Sequence, residues 1–382
     1  MRLILLFICS CFLLIPTGDL LSESTLPIVQ PSFVCSTRNL VEYFPSVASE
    51  VFTNFFTLEQ PSPLYGVLSR VRMATSSKSI TSSQNYTPHA PIEISSDEEL
   101  AAVAVSGNGT KTSPYILEGW NITTNGLHGI YIHDTTTHFI IQNCWINMQS
   151  GWDEIGILIN HVAPRTVTIL NNTCQNNDIG IFVRNSAYSM IVNNSCDQNS
   201  LWGIYVFDSE HSMITFNTCN QNGLVGIVIG YSEYVTVENN TCYQNLSSGI
   251  DIHESIDSIV SNNTCIQNKQ YGISLSYSAN TTISNNNCTQ NDGDGIWSQA
   301  SVNAMIVNNL CQNNSHGISL VSSESYSIIL NILIENKDFG IYLDSTSGTN
   351  QIQYNTLLNN NNGSTQSHDS GSNNVFEYNF WD

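Results

Sequence analysis

Positive charge is scarce in this chain. Lys and Arg together number 10, against 31 acidic residues, for a net charge of −21. A surface that negative repels phosphate backbones and anionic headgroups, which excludes nucleic acid and acidic membranes as partners. Charge of either sign is also low, at 11% of residues, where soluble domains carry about 25%. Hydrophobic residues still make up 41%, so the chain is not a charge-swollen disordered one. Proline is sparse, at 10 residues. Asn fills the gap left by charge, and an Asn-rich, charge-poor, Pro-poor chain points to stacked backbone structure. Beyond the amino terminus no run approaches the ~18 apolar residues of a membrane span.

The amino terminus itself reads as an export signal. Arg2 precedes the apolar run Leu3 to Ile15, and Pro16-Thr17-Gly18-Asp19 follows. One basic residue, a short apolar core and a small-residue exit match a secretory leader over residues 1–20; an uncleaved anchor is the alternative. Residues 21–85 show no repeat, and Thr75 to Ser83 form a Ser/Thr-rich linker. N-x-S/T sequons run from Asn85 to Asn362, which in an exported chain makes a glycoprotein the expectation. Ser96-Asp97-Glu98-Glu99 ahead of Leu100 predicts a short capped helix, and Pro114 to Leu117 a first strand.

From there the chain repeats. Gly-Ile pairs start at Gly129, Gly156, Gly180, Gly203, Gly226, Gly249, Gly272, Gly295, Gly317 and Gly340. The spacings are 27, 24, then 23 five times, then 22 and 23. Cys174, Cys196, Cys219, Cys242, Cys265, Cys288 and Cys311 keep the same step, with Ile334 and Leu357 expected in the slot afterwards. Asn stands two residues before and three residues after each of these cysteines. Registered copies of this length mean a solenoid. Within each copy, apolar residues alternate after the Gly, as in Ile204 and Val206 or Ile250 and Ile252, which is strand periodicity. A second short strand is marked by Ile191, Ile214, Val237, Val260, Ile283, Ile306 and Ile329, and the Cys slot marks a third wall. The reading is all-β: a parallel β-helix over residues 86–382, of ten or eleven coils, with a short amino-terminal capping helix. Gly opening each strand is expected to serve a sharp, positive-φ corner. The stacked Asn columns are expected to pass amide hydrogen bonds from coil to coil.

The unit GI-x-V-x-x-S-x-x-x-x-I-x-x-N-x-C-x-Q-N resembles the NosD-type repeat of right-handed parallel β-helix proteins, within the pectin-lyase-like superfamily. The likeness runs from about Pro91 to the carboxy terminus. The segment Pro88 to Ile122 is similar to the amino-terminal cap of archaeal-type members. The resemblance implies the right-handed coil and a carbohydrate-binding or sugar-hydrolase setting. NosD-like copper delivery is a further implication, but it requires clustered His or Met, and the 6 Met residues form no cluster. Superfamily enzymes acting on pectic acids use Asp with Arg or Lys. Here the coils carry only Arg165, Arg184, Lys269 and Lys337, and of the polygalacturonase elements only His316-Gly317 is matched.

Among outward positions, Asp251, His253 and Glu254 fall in one coil. Asp208 falls in the slot of Glu254 two coils earlier, with Tyr231 between. Two steps put these carboxylates roughly 9.6 Å apart, at the upper edge of an inverting-glycosidase pair. Asp208, Asp251, His253 and Glu254 are therefore the candidate catalytic residues; scattered surface polarity is the other reading. Phe182, Tyr205, Phe207, Tyr231, Tyr277 and Trp297 are candidate carbohydrate-stacking residues, or simply shield the strands. Asp292-Gly293-Asp294-Gly295 offers two acids on a glycine turn, the donor type of a calcium site and equally an ordinary tight turn. No other cofactor or metal is expected. The cysteine column reads as core packing, because stacked in-register thiols fit disulfide geometry poorly. Gly363 to Ser372 is read as a break in the repeat. The end beyond it is read as uncapped, open to end-to-end association or docking on a surface protein.

These readings converge on a secreted or cell-surface scaffold that binds polysaccharide or surface glycan without catalysis. A neutral-polysaccharide hydrolase or lyase is the alternative.

Overall fold

The computed structural model describes residues 86–123, 128–148 and 154–381. The leader, the 21–85 segment and Cys35 lie outside the described residues. Helix α1 (Asp97–Val103) opens on Ser96, whose hydroxyl accepts from the Glu99 N–H at 3.2 Å. The Glu99 carboxylate reaches back past the cap to the Ser95 N–H at 2.7 Å and to its hydroxyl at 3.0 Å, a variant of the capping exchange. Asp97 ties the helix to the coils, accepting from the N–H and hydroxyl groups of Thr136 and Thr137.

The chain then winds as a parallel β-helix. Twelve strands, from Ile92–Ile94 to Ser367–Asp369, form a first sheet, and twelve more, from Tyr115–Glu118 to Val375–Glu377, form a second. Twelve strands give eleven steps from coil to coil, in line with the sequence period. The third wall consists of runs of four and seven strands, joined by the single bridges Thr173↔Ser195, Ser195↔Thr218 and Thr218↔Thr241. Register follows the repeat: Ile204 pairs with Ile227, and Ile227 with Ile250.

Inward positions stack into fully buried columns. Ile204, Ile227, Ile250 and Ile273 line the first sheet, Ile214, Val237, Val260 and Ile283 the second, and the cysteines the third. Each buried aliphatic side chain contributes roughly 1.5–3 kcal/mol relative to exposure. All the described cysteines are free and buried, which fits the packing role expected of them.

The corners turn through residues in the left-handed region, such as Asp208 (φ 46°), His211 (φ 56°), Phe216 (φ 57°) and Gln221 (φ 55°). Such conformations cost a non-glycine residue roughly 1–2 kcal/mol, and hydrogen-bond ladders beside them offset that cost. The Asn217 N–H and side-chain amide both donate to Asn240 Oδ1, at 2.9 and 3.0 Å, and the amide also reaches the Ile191 carbonyl. Asn222 repeats this arrangement with Asn245. A serine column forms a third ladder, in which the Ser209 N–H donates to the Ser232 hydroxyl at 3.0 Å.

Three details depart from the sequence reading, and one residue it left unplaced, Cys144, is located. The Gly-Ile glycines are not at positive φ. They are required because a Cβ on Gly226 would lie 2.7 Å from the Gly249 carbonyl oxygen and 3.0 Å from Cys242 Sγ in the next coil. Cys144 stands at the head of the Asn column, its N–H donating to Asn172 Oδ1, while Ile146 takes the cysteine slot opposite Cys174. After Cys311 the slot passes to Leu333, not Ile334, and the second-sheet core position passes to Ile328, not Ile329. One residue is missing from the turn before Gly317, which shifts the next coil by one; a longer coil after it restores the register, and Leu357 takes the slot as expected. Finally, Gly363 to Ser372 does not break the winding. Ser367–Asp369 extends the first sheet, and Gln366 closes the Asn ladder by accepting from Asn360.

Candidate functional site

The corner between the first and second sheets carries a groove along the coil axis. One wall is set by the residues at and after the first-sheet strand, the other by the left-handed residue three positions later. Because both sets occupy fixed slots in the repeat, each slot recurs one coil further on, with its own side chain.

The first wall is an aromatic rail. Phe182 and Tyr205 are stacked with ring centroids 4.8 Å apart and planes at 4°. Tyr205 meets Phe207 edge-on at 5.9 Å, Phe207 meets Tyr231 at 5.2 Å, Tyr231 meets His253 at 5.8 Å, and His253 meets Tyr277 at 5.9 Å. Five of the six aromatic residues singled out from the sequence are thus brought into one file, with His253 as its link to Tyr277. Trp297 stands apart and stacks flat on Tyr271 at 4.8 Å. Tyr231 and Tyr277 are about half exposed.

The second wall was missed in the sequence. Arg165 lies 3.5 Å over the ring of Tyr188, Tyr188 stacks on His211 at 4.4 Å, and His211 stacks on Tyr234 at 4.8 Å. All four have positive φ. The signal was available, since Tyr188, His211 and Tyr234 are spaced at the coil period. Strand alternation cannot find them, because they sit on corners.

At this corner lie two adjoining depressions that share Asp208; Phe207 and Tyr231 are the rail residues that border them, and Ala187, Glu210 and Glu233, each next to a residue of the second rail, complete the lining on that side. One, of about 510 Å³, is bordered by Asp134, Thr135, His161, Asn185, Asp208 and Glu210. The other, of about 390 Å³, is bordered by Phe207, Asp208, Tyr231, Glu233, Glu254 and Ile256. Asp208 and Glu254 therefore line the same depression, with Tyr231 in the slot between them. The Tyr231 hydroxyl is hydrogen-bonded to Glu254, which pushes its pKa up. Asp257, through its charge and a hydrogen bond, does the same to Tyr234.

The other two candidate catalytic residues border neither depression, although His253 belongs to the aromatic file. Asp251 is in the outward column of Tyr205 and Val228. It accepts from the Ser274 hydroxyl at 2.5 Å, and burial pushes its carboxyl up. His253 is bound on both nitrogens, to the Ser276 hydroxyl at 2.9 Å and to the Glu254 carboxylate at 3.2 Å. Asp292 and Asp294 are turned to different partners. Asp292 pairs with Lys269 at 2.9 Å, and Asp294 accepts from the ring and N–H of His316 at 2.8 and 3.0 Å. Among the described residues no group of three or more His, Cys, Asp or Glu is arranged to hold a metal ion, and no helix is long and apolar enough to cross a membrane.

The family model for the right handed beta helix region matches residues 71–194, 155–310 and 270–380. The chain belongs to the right-handed β-helix family. Solved structures with the same fold include a GH87 α-1,3-glucanase catalytic domain in complex with tetrasaccharides (TM-score 0.53, 13% identity, 80% of this chain and 70% of that one). A periplasmic alginate epimerase, AlgG, is similar at TM-score 0.52 and 16% identity, over 78% of this chain and 86% of that one. The A-module of the Azotobacter vinelandii mannuronan C-5 epimerase AlgE6 matches at TM-score 0.50 and 13% identity, over 78% and 91%. At these identities the likeness is one of fold. No curated protein matches the chain.

Proposed function

We propose that this right-handed β-helix protein is an exported scaffold that binds a carbohydrate chain along the corner groove without cleaving it. The observation that carries the reading is the pair of aromatic rails flanking one axial groove. Sugar rings present apolar faces that stack on aromatic side chains, and polar groups between the rails hydrogen-bond the hydroxyls. From the coil of Asp134 to that of Glu254 the groove spans five steps, roughly 24 Å, enough for several rings of an extended glycan. Fold relatives named for alginate and α-1,3-glucan, one of them periplasmic, support a glycan partner and export, as does the leader-like amino terminus.

The absence of catalysis is argued from the same geometry. Asp208 and Glu254 are two coil steps apart, roughly 9.6 Å, at the upper edge of the ~6.5–9.5 Å of an inverting pair. The position between them, where a scissile bond and a water would sit, is filled by Tyr231. Hydrolysis is the second reading. It is favoured by the shared depression of Asp208 and Glu254.

A polysaccharide screen that reads binding and reducing-end release from the same wells tests both. Binding without release is expected. Release that disappears in Glu254→Gln and Asp208→Asn would establish the hydrolase instead.

A further inference from the structure

The carboxylates of the groove fall into two groups. Asp134 accepts from His133 and His161 at 2.7 and 2.6 Å, and Glu254 is held by His253. Asp208, Glu210 and Glu233, between them, have no such partner: among the described residues no Lys, Arg or His pairs with any of the three. All three border the groove. At the same corner Thr135 borders the groove, and its hydroxyl, in a residue only 1% exposed, has no hydrogen-bond partner. Elsewhere along this column the serine hydroxyls are bonded, as at Ser186, Ser209 and Ser232. A buried hydroxyl left unpaired costs roughly 1–3 kcal/mol, and a ligand group in the groove would relieve that cost.

Aromatic rails select sugar faces whatever their charge. The uncompensated carboxylates do not. Like charges aligned along a groove repel a polyuronate and attract a polymer that carries a positive charge at intervals. The aromatic rings favour cations as well, since Tyr and Phe faces attract ammonium groups.

We propose that the groove's ligand is an amino-sugar polymer with free, protonated amines, bound with its rings on the rails and its ammonium groups on Asp208, Glu210 and Glu233. This deepens, and rests on, the carbohydrate-binding reading.

The test is titration calorimetry of the full-length protein with a glucosamine hexamer and with its fully N-acetylated counterpart, in mildly acidic buffer at low and high salt. A panel of neutral glucans runs alongside. The glucosamine hexamer is expected to bind at least about tenfold more tightly than the acetylated one, with the gap narrowing in high salt. The triple variant Asp208→Asn, Glu210→Gln, Glu233→Gln is expected to abolish the preference. The control triple Glu98→Gln, Glu335→Gln, Asp338→Asn, with the same change in net charge outside the groove lining, is expected to keep it. Loss of the preference in both triples would assign the effect to overall charge and overturn the proposal. Equal affinity for the two hexamers, or binding of neutral glucans alone, would also overturn it while leaving the carbohydrate-binding reading in place. Binding of nothing in the panel would remove both.

Discussion

His211 lies flat on Tyr234, with ring centroids 4.8 Å apart and planes 9° from parallel, although the two are a full coil apart in sequence. Neither residue is on a strand. Each sits at a corner with φ near +55°, so the backbone conformation of the corner, rather than sheet alternation, delivers the ring to the groove. The same conformation recurs at Tyr188, and three corners make a rail.

If that rail binds sugar, Tyr234→Ala weakens glycan binding by about 0.5–1.5 kcal/mol, the range for one aromatic stacking contact. Tyr234 is about half exposed, so the melting temperature stays close to that of the wild type. Calorimetry and thermal denaturation on one preparation check both halves. A fall in stability with unchanged affinity would assign the ring to structure.

The Asn ladders predict a sharp contrast between inside and outside. Asn240→Ala removes the acceptor of the Asn217 N–H and amide, and the donor to the Ile214 carbonyl and to Asn263. Leaving such buried groups unpaired costs roughly 2–4 kcal/mol in denaturant unfolding. The Gln221 to Gln244 to Gln267 ladder looks similar, but it runs on the surface, where water replaces the lost partner. Gln244→Ala is expected to cost less than about 0.5 kcal/mol.

Gly249→Ala tests the revised role of the glycine column. Its Cβ would meet the Gly272 carbonyl oxygen at 2.7 Å and Cys265 Cβ at 2.9 Å, atoms held by core packing on both sides. Overpacking of this kind costs roughly 1–3 kcal/mol. Gly363→Ala meets no atom within 4 Å, but its φ of +76° makes it strained by conformation alone. Unfolding curves for the pair separate steric crowding from conformational need, and an unaffected Gly249→Ala would contradict the crowding argument.

Stability near the first coil depends on pH in two opposite senses. The hydrogen bond to Asp134, helped by Glu93, raises the pKa of His133 despite burial. A raised folded-state value means that its contribution is complete below the unfolded value of about 6.5 and is lost as pH rises through the folded one. For Asp97, burial pushes the carboxyl up, but the bonds from Thr136 and Thr137 outweigh it and the net shift is down. Its contribution is present above the unfolded value of about 3.9 and is lost as pH falls through the folded one. Melting temperatures across pH are therefore expected to show His133→Gln most damaging in mild acid and Asp97→Asn most damaging near neutrality. Differences that do not change with pH would contradict both assignments.

Much of this was legible in the sequence because a solenoid writes its geometry as a period. The Gly-Ile, Cys and Asn columns fixed the coils, and the outward slots placed Phe182, Tyr205, Phe207 and Tyr231 together before any coordinates. The slot shared by Asp208, Tyr231 and Glu254 was found in the same way. Three kinds of information were not periodic and were misread. A single missing residue before Gly317 shifted Leu333 and Ile328 into core slots assigned to their neighbours. The glycines' role depends on atoms in the next coil, which a reading of local backbone preference does not include. Asp251 and His253 share an outward face with the groove, but the actual side-chain partners, Ser274 for one and Ser276 with Glu254 for the other, hold them away from the two depressions.

The central claim is that the two rails grip a glycan and do not cut it. The most direct measurement is binding and reducing-end release from one polysaccharide panel, comparing the wild type with Tyr231→Ala/Tyr234→Ala, which removes one ring from each rail. The account predicts wild-type binding without release, and binding lost or weakened at least about tenfold in the double variant. Undiminished binding in the double variant, or reducing ends released by the wild type, would contradict it.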